Sequence, residues 1–207
     1  METDLRNDHP LITVGVISDT HIPDRVDRVN PDILIGLQAA GVSRIFHAGD
    51  ISMPPVLAEL SKIAPVDAVR GNRDLVFGNS LPMVKVVELA GVRVAIMHGH
   101  GGWKNYLIDK LVYFQHGYIL DRYLPVLLNT VPDADVVIFG HTHFPENLRF
   151  TGRLVFNPGS ASSSISRRLF PSYGLLRIYG DGKVEGEIIP VKSYQIKNRS
   201  WEKVNKT

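Results

Sequence analysis

The chain has 207 residues, of which 44% are hydrophobic and 21% charged, enough apolar material for a full core and too much for a disordered polymer. It contains no Cys, which excludes disulfide frameworks, iron–sulfur clusters, thiol catalysis and Cys-based zinc sites. Lys and Arg number 23 against 21 Asp and Glu, and this balance of +2 argues against nucleic acid as a partner recognised by bulk charge. The stretch Met1–Pro10 is polar, carries Glu2, Asp4 and Asp8, and does not read as a secretory signal. No apolar run approaches the roughly 20 residues of a membrane span, so the expectation is a cytoplasmic chain without a membrane partner.

In chain order, Leu11–Ser18 (LITVGVIS) is a short β-branched run that reads as a strand. Pro31–Ala40 has helical length and opens on Pro, which suits a first helical turn. Arg44–Gly49 is the second strand, Pro54–Ile63 a second Pro-initiated helix and Val66–Gly71 the third strand. This alternation predicts βαβ units and a parallel sheet. Val84–Leu89 and Val92–Met97, joined by Ala90-Gly91, read as a hairpin. Trp103–Thr130 breaks the rhythm with helically spaced apolar residues and a break at His116-Gly117. It is expected to form a helical pair and a possible surface for self-association. Asp135–Gly140 is a further strand, and Leu148–Phe150, Leu154–Asn157, Gly174–Tyr179 and Val184–Pro190 follow with antiparallel texture. The expectation is an α/β sandwich with one mixed and one mostly antiparallel sheet. Residues 1–10 form a flexible leader, 11–191 a single domain and 192–207 a basic, solvated tail.

The informative residues stand immediately after the strands. Asp19 and His21 follow the first, Asp50 the second, Asn72 the third, His98 the hairpin, and His141 and His143 the strand at 135–140. Open α/β sheets bind ligands beyond the carboxyl ends of their strands. The i, i+2 spacing of Asp19/His21 and His141/His143 turns each pair to one face of an extended segment. Gly49, Gly71 and Gly140 precede three of these residues, where close backbone approach has no room for a Cβ. Four His, two Asp and one Asn exceed the three or four protein ligands of a tetrahedral zinc site. Divided over two ions with one shared Asp, they supply four ligands each. Two divalent cations against two carboxylates leave +2, a charge that favours a phosphate-type anion and acidifies bound water. Mixed nitrogen and oxygen donors suit Mn²⁺, Fe²⁺, Zn²⁺, Ni²⁺ or Co²⁺, and the donor set does not choose among them.

The ordered series Asp-x-His (19–21), Gly-Asp (49–50), Gly-Asn (71–72), His-Gly-His (98–100) and Gly-His-Thr-His (140–143), followed by Asn157-Pro158-Gly159-Ser160, resembles the calcineurin-like metallophosphoesterases. The resemblance is to the YfcE-like branch that includes the retromer subunit. It implies a four-layer α-β-β-α sandwich with two mixed sheets. One ion would be held by Asp19, His21, Asp50 and His143, the other by Asp50, Asn72, His98 and His141. Asp50 would bridge the ions and help activate a hydroxide for in-line attack on phosphorus, with Asn72 and His98 positioning the phosphoryl group. The implied substrate is a small phosphodiester or phosphomonoester. A nuclease or a non-catalytic protein scaffold are the other outcomes the superfamily allows.

Two departures from that pattern matter. Many of these phosphatases carry Gly-Asn-His, whose His protonates the leaving group, whereas this chain has Gly71-Asn72-Arg73. General-acid help is worth about 10²–10⁴-fold, so its loss favours good leaving groups, and thus diesters over monoesters. Arg73, His100 and Arg167 are candidates for contacting substrate phosphate, and His47 and Asp74 for orienting the ligands from behind. The second departure is the long insertion at 103–130.

Overall fold

The protein is described by a computed structural model covering residues 9–77, 80–99, 115–162 and 169–204. Its strands are β1 Ile12–Ile17, β2 Arg44–His47, β3 Val66–Ala68, β4 Val84–Leu89, β5 Val92–Met97, β6 Val136–Ile138, β7 Glu146–Phe150, β8 Arg153–Asn157, β9 Ser172–Ile178, β10 Val184–Pro190, β11 Tyr194–Lys197 and β12 Ser200–Lys203. The α-helices are α1 Pro31–Ala39, α2 Pro54–Leu60 and α3 Leu124–Thr130. One five-stranded sheet has the order β10-β9-β1-β2-β3 and the other β4-β5-β6-β8-β7.

The layering follows from strand periodicity. In β5, Val92, Val94 and Ile96 join Val14, Val16, Phe46, Val136, Ile138 and Phe156 in a core between the sheets. The alternate residues Ala95 and Met97 pack with Val137 and Val155 against Leu124 and Leu127 of α3. On the other side, Ile17 and Ile45 meet Ile33 and Leu37 of α1 and Val56 and Leu60 of α2. A side-chain period of two therefore feeds two cores from each sheet, and the result is the expected α-β-β-α sandwich. Helix α1 starts where it does because Asn30 Oδ1 accepts the Asp32 N–H at 2.9 Å, with Pro31 in the first turn.

Both sheets are mixed. β1, β2 and β3 run parallel, β9 pairs antiparallel with β1, and β10 pairs antiparallel with β9. In the second sheet, β5, β6 and β8 are mutually parallel, so the mostly antiparallel sheet expected from texture is corrected. The β7–β8 hairpin places β8, not β7, beside β6. Nothing in strands this short marks which neighbour they choose. The strands also stop short of the apolar runs, because β2, β3 and β6 end before Gly49, Gly71 and Gly140 and the chain turns toward the site. Of the 103–130 insertion, residues 103–114 lie outside the described residues. Beyond it, Gly117 has a φ of 74° and a 3₁₀ turn at Leu120–Arg122 leads into α3. Among the described residues no helix is long and apolar enough to cross a membrane.

The solvated tail expected over 192–207 is also corrected. β11 and β12 form a hairpin, and Trp201 is buried at its base. The Trp201 indole donates to the Arg28 carbonyl at 2.9 Å, and Asp27 N–H donates to the Arg199 carbonyl at 2.8 Å. Charged side chains around it hid this buried anchor, beside which Tyr194 packs on the same core. Trp201→Ala is expected to destabilise the fold by about 3 kcal/mol in denaturant unfolding, the usual loss for a buried Trp. A change below about 1 kcal/mol would mean that the hairpin is not docked.

Candidate metal centre

The seven expected ligands come from both sheets. Asp19, His21, Asp50 and Asn72 leave the parallel strands β1, β2 and β3, and His98, His141 and His143 leave β5 and β6. They form an unbroken series of contacts. The Nε2 atoms of His21 and His143 are 3.1 Å apart, and they lie 3.6 and 3.2 Å from Asp19 Oδ1. Asp50 stands between two groups, with Oδ2 3.8 Å from His21 Nε2 and Oδ1 3.4 Å from His98 Nε2. Asn72 Oδ1 closes the far side, 3.1 Å from both His98 Nε2 and His141 Nδ1. The donor atoms of Asp19, His21 and His143 lie within 4.8 Å of one another, as do those of Asp19, Asp50 and His98. Asp19 thus reaches into both groups.

Backbone strain concentrates here. Asp19, His21, Asp50, His141 and His143 have φ of 54°, 50°, 55°, 69° and 61°, a left-handed conformation that side-chain-bearing residues rarely adopt. Two glycines make the crowding possible. A Cβ on Gly71 would overlap Asp50, and one on Gly140 would overlap the Ser18 hydroxyl.

Hydrogen bonds hold each ligand in one orientation. Ser18 Oγ and the His141 N–H both donate to Asp19 Oδ2, at 2.7 and 3.0 Å, which leaves Oδ1 for the cluster. The Asp19 carbonyl accepts from Ser160 and Ser162, and Asn157 Nδ2 donates to the Gly140 carbonyl. The Asn157–Ser160 motif therefore braces two ligand loops. His98 Nδ1 donates to the Ala48 carbonyl at 2.7 Å, which turns Nε2 to the centre. Arg73 N–H donates to Asp50 Oδ1 at 2.8 Å.

The two residues expected behind the ligands brace backbone instead of touching the ligating atoms. Asp74 accepts from the Ser52 and Gly71 N–H groups, both at 2.7 Å, joining the loops after β2 and β3. His47 Nδ1 accepts from Gly49 N–H, so its proton sits on Nε2 toward Thr20 Oγ1 at 3.2 Å. The Arg73 guanidinium lies at the surface, 3.4 Å from Asp24. Arg25, which has no motif around it and was not anticipated, is half-buried with its guanidinium 3.2 Å from His143 Nδ1. His100 and Arg167 lie outside the described residues.

The electrostatics match a site built for cations. Burial works against ionising Asp19 and Asp50, yet His143, His98 and His21 hold both below the usual carboxylate range, Asp50 to about 2. Burial pushes His21 down to about 4 and His47 to about 3. His98 moves the other way, to about 9, because Asp50 and Asp19 outweigh its burial. Burial raises Asp74 despite its two backbone donors. Asp19 Oδ1 and His21 Nδ1 are buried without a hydrogen-bond partner. An unsatisfied buried carboxylate oxygen is costly, and a cation beside the two convergent Nε2 atoms would satisfy it. The residues present fit a metal.

The calcineurin-like phosphoesterase superfamily domain matches residues 12–181. A probable metallophosphoesterase of Methanothermobacter thermautotrophicus is 37% identical over 85% of this chain and 91% of its own length. A second, from Methanocaldococcus jannaschii, is 30% identical over 86% of this chain and 81% of its own. Among solved structures, a single mutant of Vps29 from Entamoeba histolytica superposes with a TM-score of 0.64 at 25% identity, covering 87% of this chain and all of that one. With the family domain spanning most of its length, the chain belongs to the calcineurin-like phosphoesterase superfamily, on the branch related to Vps29.

Proposed function

We propose that the protein is a hydrolase of phosphodiesters that uses two divalent transition-metal ions, Mn²⁺ first among them. The observation that carries this reading is Asp50, whose two oxygens face His21 on one side and His98 on the other. Asp19, His21 and His143 hold one ion, Asn72, His98 and His141 the second, and Asp50 belongs to both. Bound there, such ions acidify a water and neutralise charge on the phosphoryl oxygens.

The chain's own residues supply the rest. Asn72 and His141 are the half-exposed members of an otherwise buried set, so substrate enters on their side. There Asn72 and His98 orient the phosphoryl group. Arg25 is the nearest described guanidinium to the ligands. Its guanidinium lies 3.2 Å from His143 Nδ1, which places a fixed cation beside the ligand set where it would contact a phosphate oxygen. Arg73 occupies the place of the leaving-group acid, and its side chain faces Asp24. Esters that leave without protonation are favoured, which is the reason for preferring diesters.

The test is hydrolysis of bis-p-nitrophenyl phosphate and p-nitrophenyl phosphate by EDTA-stripped protein, with and without added Mn²⁺. The expected result is turnover only with metal and faster with the diester. A faster monoester would replace the diester reading with a phosphomonoesterase. Failure of folded protein with Mn²⁺, Zn²⁺, Fe²⁺, Ni²⁺ and Co²⁺ would turn the assignment to a Vps29-like scaffold.

A further inference from the structure

A row of aromatic rings borders the open side of the centre. Phe144 and Tyr118 stack in parallel, with ring centroids 4.3 Å apart and an interplanar angle of 2°. Tyr123 follows at 6.0 Å from Tyr118, and it meets His141 edge-on at 6.4 Å. His141 in turn contacts His98 at 5.1 Å, so the row runs unbroken into the ligand set. Tyr118, Tyr123, Phe144 and His141 are all half-buried.

The row is firmly held. Tyr123 packs on the core under α3, and Phe144 follows directly on the ligand His143. The Tyr118 hydroxyl is buried, with Glu146 and Thr142 as its neighbours. Phe144 and Tyr118 already cover one face of each other, so a planar group would extend the row from an outer face or edge, with little ordering of the protein.

We infer that Phe144, Tyr118 and Tyr123 form a subsite for a planar organic group, an aryl ring or nucleobase, on the phosphoester whose phosphorus sits at Asn72 and His141. This rests on the phosphoesterase reading and adds the class of ester the site selects. The group that benefits is the one esterified on the open side of the phosphorus, where a methyl or glyceryl group has no π-face to offer.

The test holds the leaving group constant. Mn²⁺-loaded protein is given methyl p-nitrophenyl phosphate, bis-p-nitrophenyl phosphate and the p-nitrophenyl ester of thymidine 5′-phosphate. Stacking on one ring predicts a kcat/KM advantage of about tenfold for the two planar esters over the methyl ester, carried mainly by KM. Phe144→Leu and Tyr123→Leu keep apolar volume but remove the ring, and each is expected to shrink that ratio several-fold. Phe144→Tyr and Tyr123→Phe are expected to retain it. General damage to the fold lowers all three esters together and leaves the ratio unmoved, so the ratio reads the subsite alone. A wild-type ratio near one, or leucine variants that keep the full ratio, would overturn the inference. If no ester is turned over, the phosphoesterase reading falls. Calorimetric titration of the loaded protein with phenyl phosphate and methyl phosphate then decides the subsite, with tighter binding of the phenyl compound expected and equal binding refuting it.

Discussion

Asp50→Asn is expected to lower kcat/KM for bis-p-nitrophenyl phosphate by at least about 10³-fold, a loss of roughly 4 kcal/mol in transition-state stabilisation. Asn has the shape of Asp, so Gly71 still fits against it and the Arg73 N–H retains an acceptor at the Oδ1 position. What disappears is a charge shared by two groups of ligands. Asp50 is buried, and in the metal-free protein its charge lifts His98 to about 9. Without it His98 keeps only Asp19 and the Ala48 carbonyl to raise it, so part of its stabilisation is lost while one desolvated charge is removed. The stability change should therefore be small beside the catalytic one. Metal content separates this from a folding effect: dialysed wild type is expected to retain two ions per chain and the variant fewer, with an unchanged melting temperature for the metal-free forms. Turnover of the variant within tenfold of wild type would remove Asp50 from its bridging place.

The ligand set was legible because each member follows an apolar run, and runs such as Val92–Met97 announce their strands by alternation. The convergence of two sheets on one point was less so. It depends on β8 pairing with β6 across the intervening β7, a choice made by packing between the sheets and carried by no single residue. The left-handed backbone at Asp19, His21, Asp50, His141 and His143 was hidden because Asp and His, though enriched there among side-chain-bearing residues, adopt it in only a small minority of positions. Only the neighbouring glycines hinted at the crowding. Arg25 was invisible for a different reason: its approach to His143 spans 118 residues, and no local pattern marks a contact of that kind. Trp201 sat among charges, and one apolar residue in a polar stretch has no periodicity to detect. Of the aromatic row, Tyr118 and Tyr123 fall in the 103–130 stretch whose spacing suggests helical packing, and Tyr123 does pack on that core, while Phe144 carries no pattern.

Lowering the pH from 6.5 to 4.5 is expected to destabilise the metal-free protein by about 2 kcal/mol through His47 alone, since a proton taken up only by the unfolded chain costs about 1.4 kcal/mol per pH unit once that chain is fully protonated. His47 is fully buried and held neutral, its pKa brought from 6.5 to about 3 by burial. The stability it contributes is complete above 6.5 and is lost as the pH falls, because the unfolded chain binds a proton that the folded one refuses. His21, lowered to about 4, adds loss of the same sign. Asp74, raised by burial, takes up its proton earlier in the folded chain and works against this loss, while the ligands that remain act outside the window. His98 is raised to about 9, so its contribution is intact below 6.5 and fades only as the pH climbs toward 9. Asp19 and Asp50 are depressed from 3.8, so theirs persists above that value and is lost in stronger acid. Urea unfolding across pH 4.5–7 reads the slope. His47→Asn keeps an acceptor for the Gly49 N–H but cannot titrate, so it should be less stable at pH 7 yet lose stability less steeply on acidification, by about one proton. A variant slope equal to that of wild type would show that His47 is not buried neutral, and that the Thr20–His47–Gly49 tie joining the β1 and β2 loops does not hold the centre together as described.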